Sequence, residues 1–194
     1  SWFRGEGGAV AFGEAIDSYD RAVELDPTEM RVYAVQSLLA KSDMLIEKGK
    51  TSEPPDSGSL KEGVRVLQEI IDNPIYRSNP TVHKGIPQRK LADLIREDDP
   101  MFAISLLSEG LKNQGDLEEG YENLEIGLIY KDLLDDPDQA VEYFERVRQN
   151  ELAPREVKKY AEEFLDGIQA GHLDNPNLYP GENLELFSLE EIDP

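Results

Sequence analysis

The chain has 194 residues, no cysteine and a formal net charge of −21, from 41 acidic and 20 basic side chains. This length fits about one ordinary domain with a continuous core. The charge disfavours nucleic acid and anionic membrane surfaces as partners, the lack of cysteine excludes disulfides and thiolate metal sites, and no apolar run reaches the roughly 18 residues of a membrane-spanning helix.

In chain order, the glycine-rich residues 1–13, SWFRGEGGAVAFG, read as the frayed remnant of a helix, because each glycine costs about 1 kcal/mol relative to alanine in a helix interior. A phosphate cradle would need a lysine after the glycines and a strand before them, and neither is present. Residues 14–27, EAIDSYDRAVELDP, form an amphipathic helix with Ala15, Tyr19 and Ala22 on one face, stopped by Pro27. A long helix follows over 30–48, with Thr28 or Glu29 at its start and Gly49 as a plausible stop. Residues 50–59, KTSEPPDSGS, form a polar loop, so positions 49–59 read as an insertion.

Helical periodicity resumes at Leu60 with Val64, Leu67, Ile70 and Ile71 inward, and ends at Asn73–Pro74. Residues 74–85 read as an irregular connection. Further helices are expected over 87–96, 101–113, 117–134, 138–148 and 154–168. Two Asp-Asp-Pro triplets, 98–100 and 135–137, precede two of them. Asp99 and Asp136 fit N-caps, Pro100 and Pro137 fit the first helical position, and Gln139 is placed to complete a capping box with Asp136. Calcium would need alternating oxygen ligands and a turn glycine, which these loops lack.

Superposing the helices exposes a period. Ala15, Gly63, Ala103 and Ala140 are each followed four residues on by a large side chain, Tyr19, Leu67, Leu107 and Phe144. Three residues further stand Ala22, Ile70, Gly110 and Val147. Successive anchors are 48, 40 and 37 residues apart. A small residue suits a close helix crossing, and a large one a turn later fills the groove beside it. The intervening helices carry a weaker signal: Leu91-Ala92 then Ile95, Ile126-Gly127 then Tyr130, and a poor version at Gln36-Ser37 then Ala40.

This pattern resembles the tetratricopeptide repeat family over about residues 9–152. Its motif has a large–small pair and an aromatic in the first helix, then small, aromatic, small and proline in the second. Ala15, Tyr19, Ala22 and Pro27 match the second half, and Ile126, Gly127, Tyr130, Ala140, Phe144 and Val147 make the best full unit. The spacings exceed the family's usual length, and Ile70 and Val147 replace small residues. The resemblance implies an all-α superhelical solenoid of helix pairs over 1–171, with a C-terminal helix and an acidic tail over 172–194.

The function implied is non-enzymatic protein binding, as an adaptor or as a structural or assembly subunit of a larger complex. Four residues on from the small residue of each first helix stand Lys41, Arg96 and Lys131, with Arg89 two turns before Arg96. In the family that side faces the concave groove, so these four are the candidate partner-binding residues, for an acidic peptide. The plainer reading makes them halves of local ion pairs, such as Arg89 with Asp93. The last 35 residues hold no Lys or Arg and nine Asp or Glu. Within them Leu184, Leu186, Phe187, Leu189 and Ile192 form a candidate docking tail, which would fill the basic groove of its own or a neighbouring copy. The only histidines, His83 and His172, sit in no catalytic motif, so no catalytic, metal or cofactor residue is assigned. A carboxylate-based hydrolase is the remaining alternative of another class. Adaptation to salt explains the acidity without a partner. The compartment is not legible in these residues.

Overall fold

Short carboxylates open several of the helices. Asp56 Oδ1 accepts from the N–H groups of Gly58 (3.0 Å) and Ser59 (3.1 Å), Asp99 Oδ1 from Phe102 (3.0 Å), and Asp136 Oδ1 from Gln139 (3.1 Å). Each bond satisfies a donor that a helix start would otherwise leave orphaned. Ser59 and, more weakly, Lys48 hold the Asp56 carboxyl down to about 2. Pro100 and Pro137 stand just inside their helices, so both Asp-Asp-Pro loops are caps. The capping box is only half formed: the Asp136 N–H goes to the Tyr130 carbonyl at 2.9 Å rather than to the Gln139 side chain.

A computed structural model describes residues 6–26, 31–112 and 119–169. All regular structure among them is helical: α1 (Glu6–Leu25), α2 (Val32–Thr51), α3 (Ser57–Asp72), α4 (Pro80–His83), α5 (Ile86–Ile95), α6 (Pro100–Leu111), α7 (Glu119–Asp132), α8 (Pro137–Gln149) and α9 (Arg155–Gln169), with a 3-10 turn at Pro74–Tyr76. The expected tail, residues 172–194, with Leu184, Leu186, Phe187, Leu189 and Ile192, lies outside the described residues, as do Pro27, Thr28 and Glu29.

Three expectations are corrected. The glycine-rich start is not a frayed remnant from Glu6 onward: α1 runs through Gly7, Gly8 and Gly13. Packing offsets the propensity cost, since Phe12 and Ile16 lie against the core cluster around Val35 and Leu38, and Lys48 Nζ sits 4.6 Å over the Phe12 ring. The inserted loop shrinks to residues 52–56, because α2 continues to Thr51 and the Asp56 cap starts α3 before Leu60. The connection after α3 is also more ordered than its prolines suggest. Asn73 and Asn79 cap the 3-10 turn and α4, and Tyr76 and Val82 are buried.

Packing is serial. α2 lies on α3, α5 on α6, and α7 on α8, and these pairs join through α1–α2, α3–α5, α6–α7 and α8–α9 contacts. The core is accordingly divided into three neighbouring clusters. The first joins α2, α3, the 3-10 turn and α4, with α1 against it. The second joins α3, α5, α6 and α7 around Leu67, Leu107 and Ile126, and the third joins α7, α8 and α9 around Phe144 and Phe164.

The small–large pattern acts at these crossings. A Cβ on Gly63 would stand 2.7 Å from Ile46 Cγ1 and 3.2 Å from the Ser42 carbonyl, so α2 and α3 approach at the glycine. Ser42 Oγ uses that closeness to donate to the Gly63 carbonyl at 2.9 Å. A Cβ on Gly127 would stand 2.9 Å from the Phe144 ring, so the small residue of α7 is the seat of the large residue of α8.

Candidate functional site

The four candidate cations lie on α2, on α5 and the residue that ends it, and on α7, and each meets a carboxylate. Lys41 on α2 reaches back to Asp20 on α1, with Nζ 2.6 Å from Oδ1. Arg89 on α5 reaches forward to Glu122 on α7 at 3.0 Å. Arg96 is 3.5 Å from Asp93, one turn earlier on α5. Lys131 pairs with Asp132 at 2.7 Å, and its Nζ lies 5.8 Å from the centre of the Phe164 ring on α9. The local-pair reading thus holds for Arg96 and Lys131 only: Asp93 belongs to Arg96, while Lys41 and Arg89 each cross to another helix.

Side-chain contacts also link alternate helices. Lys90 on α5 bonds Asp43 on α2 at 2.9 Å, Arg89 joins α5 to α7, and Lys131 sits over a ring of α9. These contacts link α2 to α5, α5 to α7 and α7 to α9. None of the four cations is more than about a quarter exposed, the range running from 13% for Lys41 to 26% for Arg96.

Arg89 and Arg96 are the two that converge. Between them α7 presents Glu122 and Glu125, one turn apart. Glu122 is only 1% exposed, a location that an ionised carboxylate tolerates only when paired and hydrogen-bonded. Glu125 is half-buried. Burial is the main reason its carboxyl is pushed up to about 7, with Asp93 and Glu122 adding repulsion and Arg89 and Arg96 opposing it. Five charged groups from two helices thus form one cluster: Arg89, Asp93, Arg96, Glu122 and Glu125.

Sequence reasoning missed both glutamates. The available signal was their setting: Leu124, Ile126, Gly127, Leu128 and Ile129 leave α7 apolar around much of its circumference, the mark of a helix covered on several sides. A glutamate inside such a helix needs a cationic neighbour.

The geometry permits charge complementarity, and a carboxyl near neutral pKa permits proton exchange. Among the described residues no group of three or more His, Cys, Asp or Glu is arranged to hold a metal ion, and no helix is long and apolar enough to cross a membrane. Comparison with protein-family models, with curated proteins and with solved structures finds no match to this chain.

Proposed function

We propose that this chain is a non-enzymatic protein-interaction module, built from tetratricopeptide-like helix pairs and serving as a structural or assembly subunit of a larger complex. The observation that carries this reading is where large apolar side chains remain exposed. Beside Leu25, Tyr33, Ile75 and Leu152, which are exposed elsewhere among the described residues, Met101 (57% exposed) and Phe102 (40%) open α6, and Leu133 (41%) follows α7. They belong to the α5–α6 and α7–α8 turns. Apolar side chains repeated at equivalent turns suit a protein partner that spans more than one unit.

A peptide-binding adaptor is the second form of the same reading, with Lys41, Arg89, Arg96 and Lys131 receiving an acidic segment of a partner or of the chain's own tail. Its support is that the helices carrying them are linked by side-chain contacts between α2 and α5 and between α5 and α7. Against it stands their engagement with Asp20, Glu122, Asp93 and Asp132, which an acidic ligand would have to displace. The serine variant Met101→Ser/Phe102→Ser/Leu133→Ser and the reversal Lys41→Glu/Arg96→Glu/Lys131→Glu separate the two forms. Quantitative co-purification with mass spectrometry should show partner loss in the first variant and retention in the second. Loss in the reversal alone favours the groove, and unchanged partners in both variants remove the proposal.

A further inference from the structure

Residues 73–85 are more than a plain helix-pair repeat requires, and they build a wall. Asn79 pins them: it is buried, its Oδ1 accepts from the Thr81 N–H at 2.8 Å, and its Nδ2 donates to the Arg31 carbonyl at 3.2 Å. With the end of α3, the start of α5 and the second half of α6, this connection borders an open cleft of about 520 Å³, within the size range of small-molecule sites.

The lining is polar, and one of its buried atoms lacks a partner. Asp72, Arg77, His83, Gln88 and Glu109 face the cleft, with Val82 as an apolar wall. Gln88 is 4% exposed, and its Oε1 accepts no hydrogen bond. Buried amide oxygens in native proteins almost always find a donor, so one without needs a reason. Asp72, Glu109 and Arg77 line the same space, yet no ion pair or side-chain hydrogen bond joins them among the described residues. Opposite charges that share a cleft without touching leave room for a molecule carrying both signs.

That balance selects the ligand. A simple anion would meet two carboxylates against one arginine, which disfavours phosphate-rich ligands. A simple amine would leave Arg77 unanswered. We propose that the cleft binds a small zwitterion of amino-acid or dipeptide size, with its ammonium group received by the exposed Asp72 and Glu109 carboxylates and, once the buried amide turns towards it, by Gln88 Oε1, and its carboxylate received by Arg77. His83, exposed at the rim, is a second donor to that carboxylate.

The test is calorimetric and NMR titration of the full chain with the standard L-amino acids and a set of glycyl dipeptides, using putrescine and acetate as single-charge controls. The expected result is saturable binding of at least one zwitterion, with Kd at or below about 1 mM, that moves the Gln88 side-chain amide resonance. Arg77→Gln and Gln88→Met should each weaken binding at least about tenfold. Arg77 is exposed, so its variant reads binding without disturbing the core, and Gln88→Met removes an unsatisfied acceptor and should not lower the thermal midpoint. The proposal is overturned by no saturable binding across the set, by unchanged affinity in both variants, or by putrescine or acetate binding as tightly as the zwitterion.

Discussion

Two copies of the same three-residue pattern have different fates. In α8, Ala140, Phe144 and Val147 are all 0% exposed, because α7 covers one side and α9 the other, and Phe164 of α9 packs 4.4 Å from the Phe144 ring centre. In α1, Ala15, Tyr19 and Ala22 are only half-buried, because α2 is the main element packed on that helix. The spacing of small and large residues therefore shapes a surface for neighbours on two sides, and the number of neighbours sets how much it stabilises.

The comparison breaks most visibly by truncation. Phe144→Ala should cost about 3–5 kcal/mol, the range for deleting a fully buried aromatic ring. Tyr19→Ala, at the matching position of α1, should cost no more than about half of that. Urea denaturation of both variants gives the difference, and equal losses would show that α1 is as firmly held as α8.

Charge offers the second contrast. Arg89 and Glu122 form a buried pair between α5 and α7, whereas the Asp20 partner of Lys41 is 49% exposed. Arg89→Leu strips a carboxylate buried to 1% of its arginine and should cost about 3 kcal/mol. Lys41→Leu should cost about 1 kcal/mol or less. Both are read from denaturant midpoints at pH 7.

Glu125 supplies a pH signature confined to the α5–α7 junction. Its carboxyl is raised from 4.5 to about 7. Between those values the folded chain holds a proton that the unfolded chain has released, so stability is highest at the acid side and falls as pH rises towards 7. The full shift would correspond to about 3 kcal/mol; because Glu125 keeps part of its surface in water, about 2 kcal/mol is expected. Glu125→Gln should therefore stabilise by about 2 kcal/mol at pH 8 and by nothing at pH 4. A pH-independent gain would show that the carboxyl titrates normally.

Glycines give the smallest and most local contrast. Gly127→Ala drives a methyl into the Phe144 ring and should destabilise by about 1–3 kcal/mol. A Cβ on Gly13 meets nothing within 4 Å, so Gly13→Ala should stabilise α1 by about 0.5–1 kcal/mol. Thermal midpoints moving in the same direction would contradict the close approach at Gly127.

Much of this architecture is legible in the sequence because its signals are local. Asp99-Pro100 and Asp136-Pro137 mark helix starts whatever surrounds them, and the i, i+4, i+7 anchors identify the buried faces of α3, α6 and α8. The start of α1 was not legible, because glycine propensity argued against a helix that Phe12 and Ile16 secure through contacts with residues far along the chain. The candidate cations were visible as a row, but their partners were not. Asp20 and Glu122 stand 21 and 33 positions from Lys41 and Arg89, on other helices. Glu125 looked like an ordinary surface acid because its burial depends on α5 lying across α7.

Hydrogen exchange of the native chain, read by mass spectrometry, tests the central claim that stability follows the number of neighbours each helix has. Amides of α2, α3, α7 and α8, each covered by two or more neighbours, should exchange only through the largest openings, and those of α1 first, through local detachment that leaves the other clusters intact. Uniform protection from α1 to α9, lost in a single step, would contradict it.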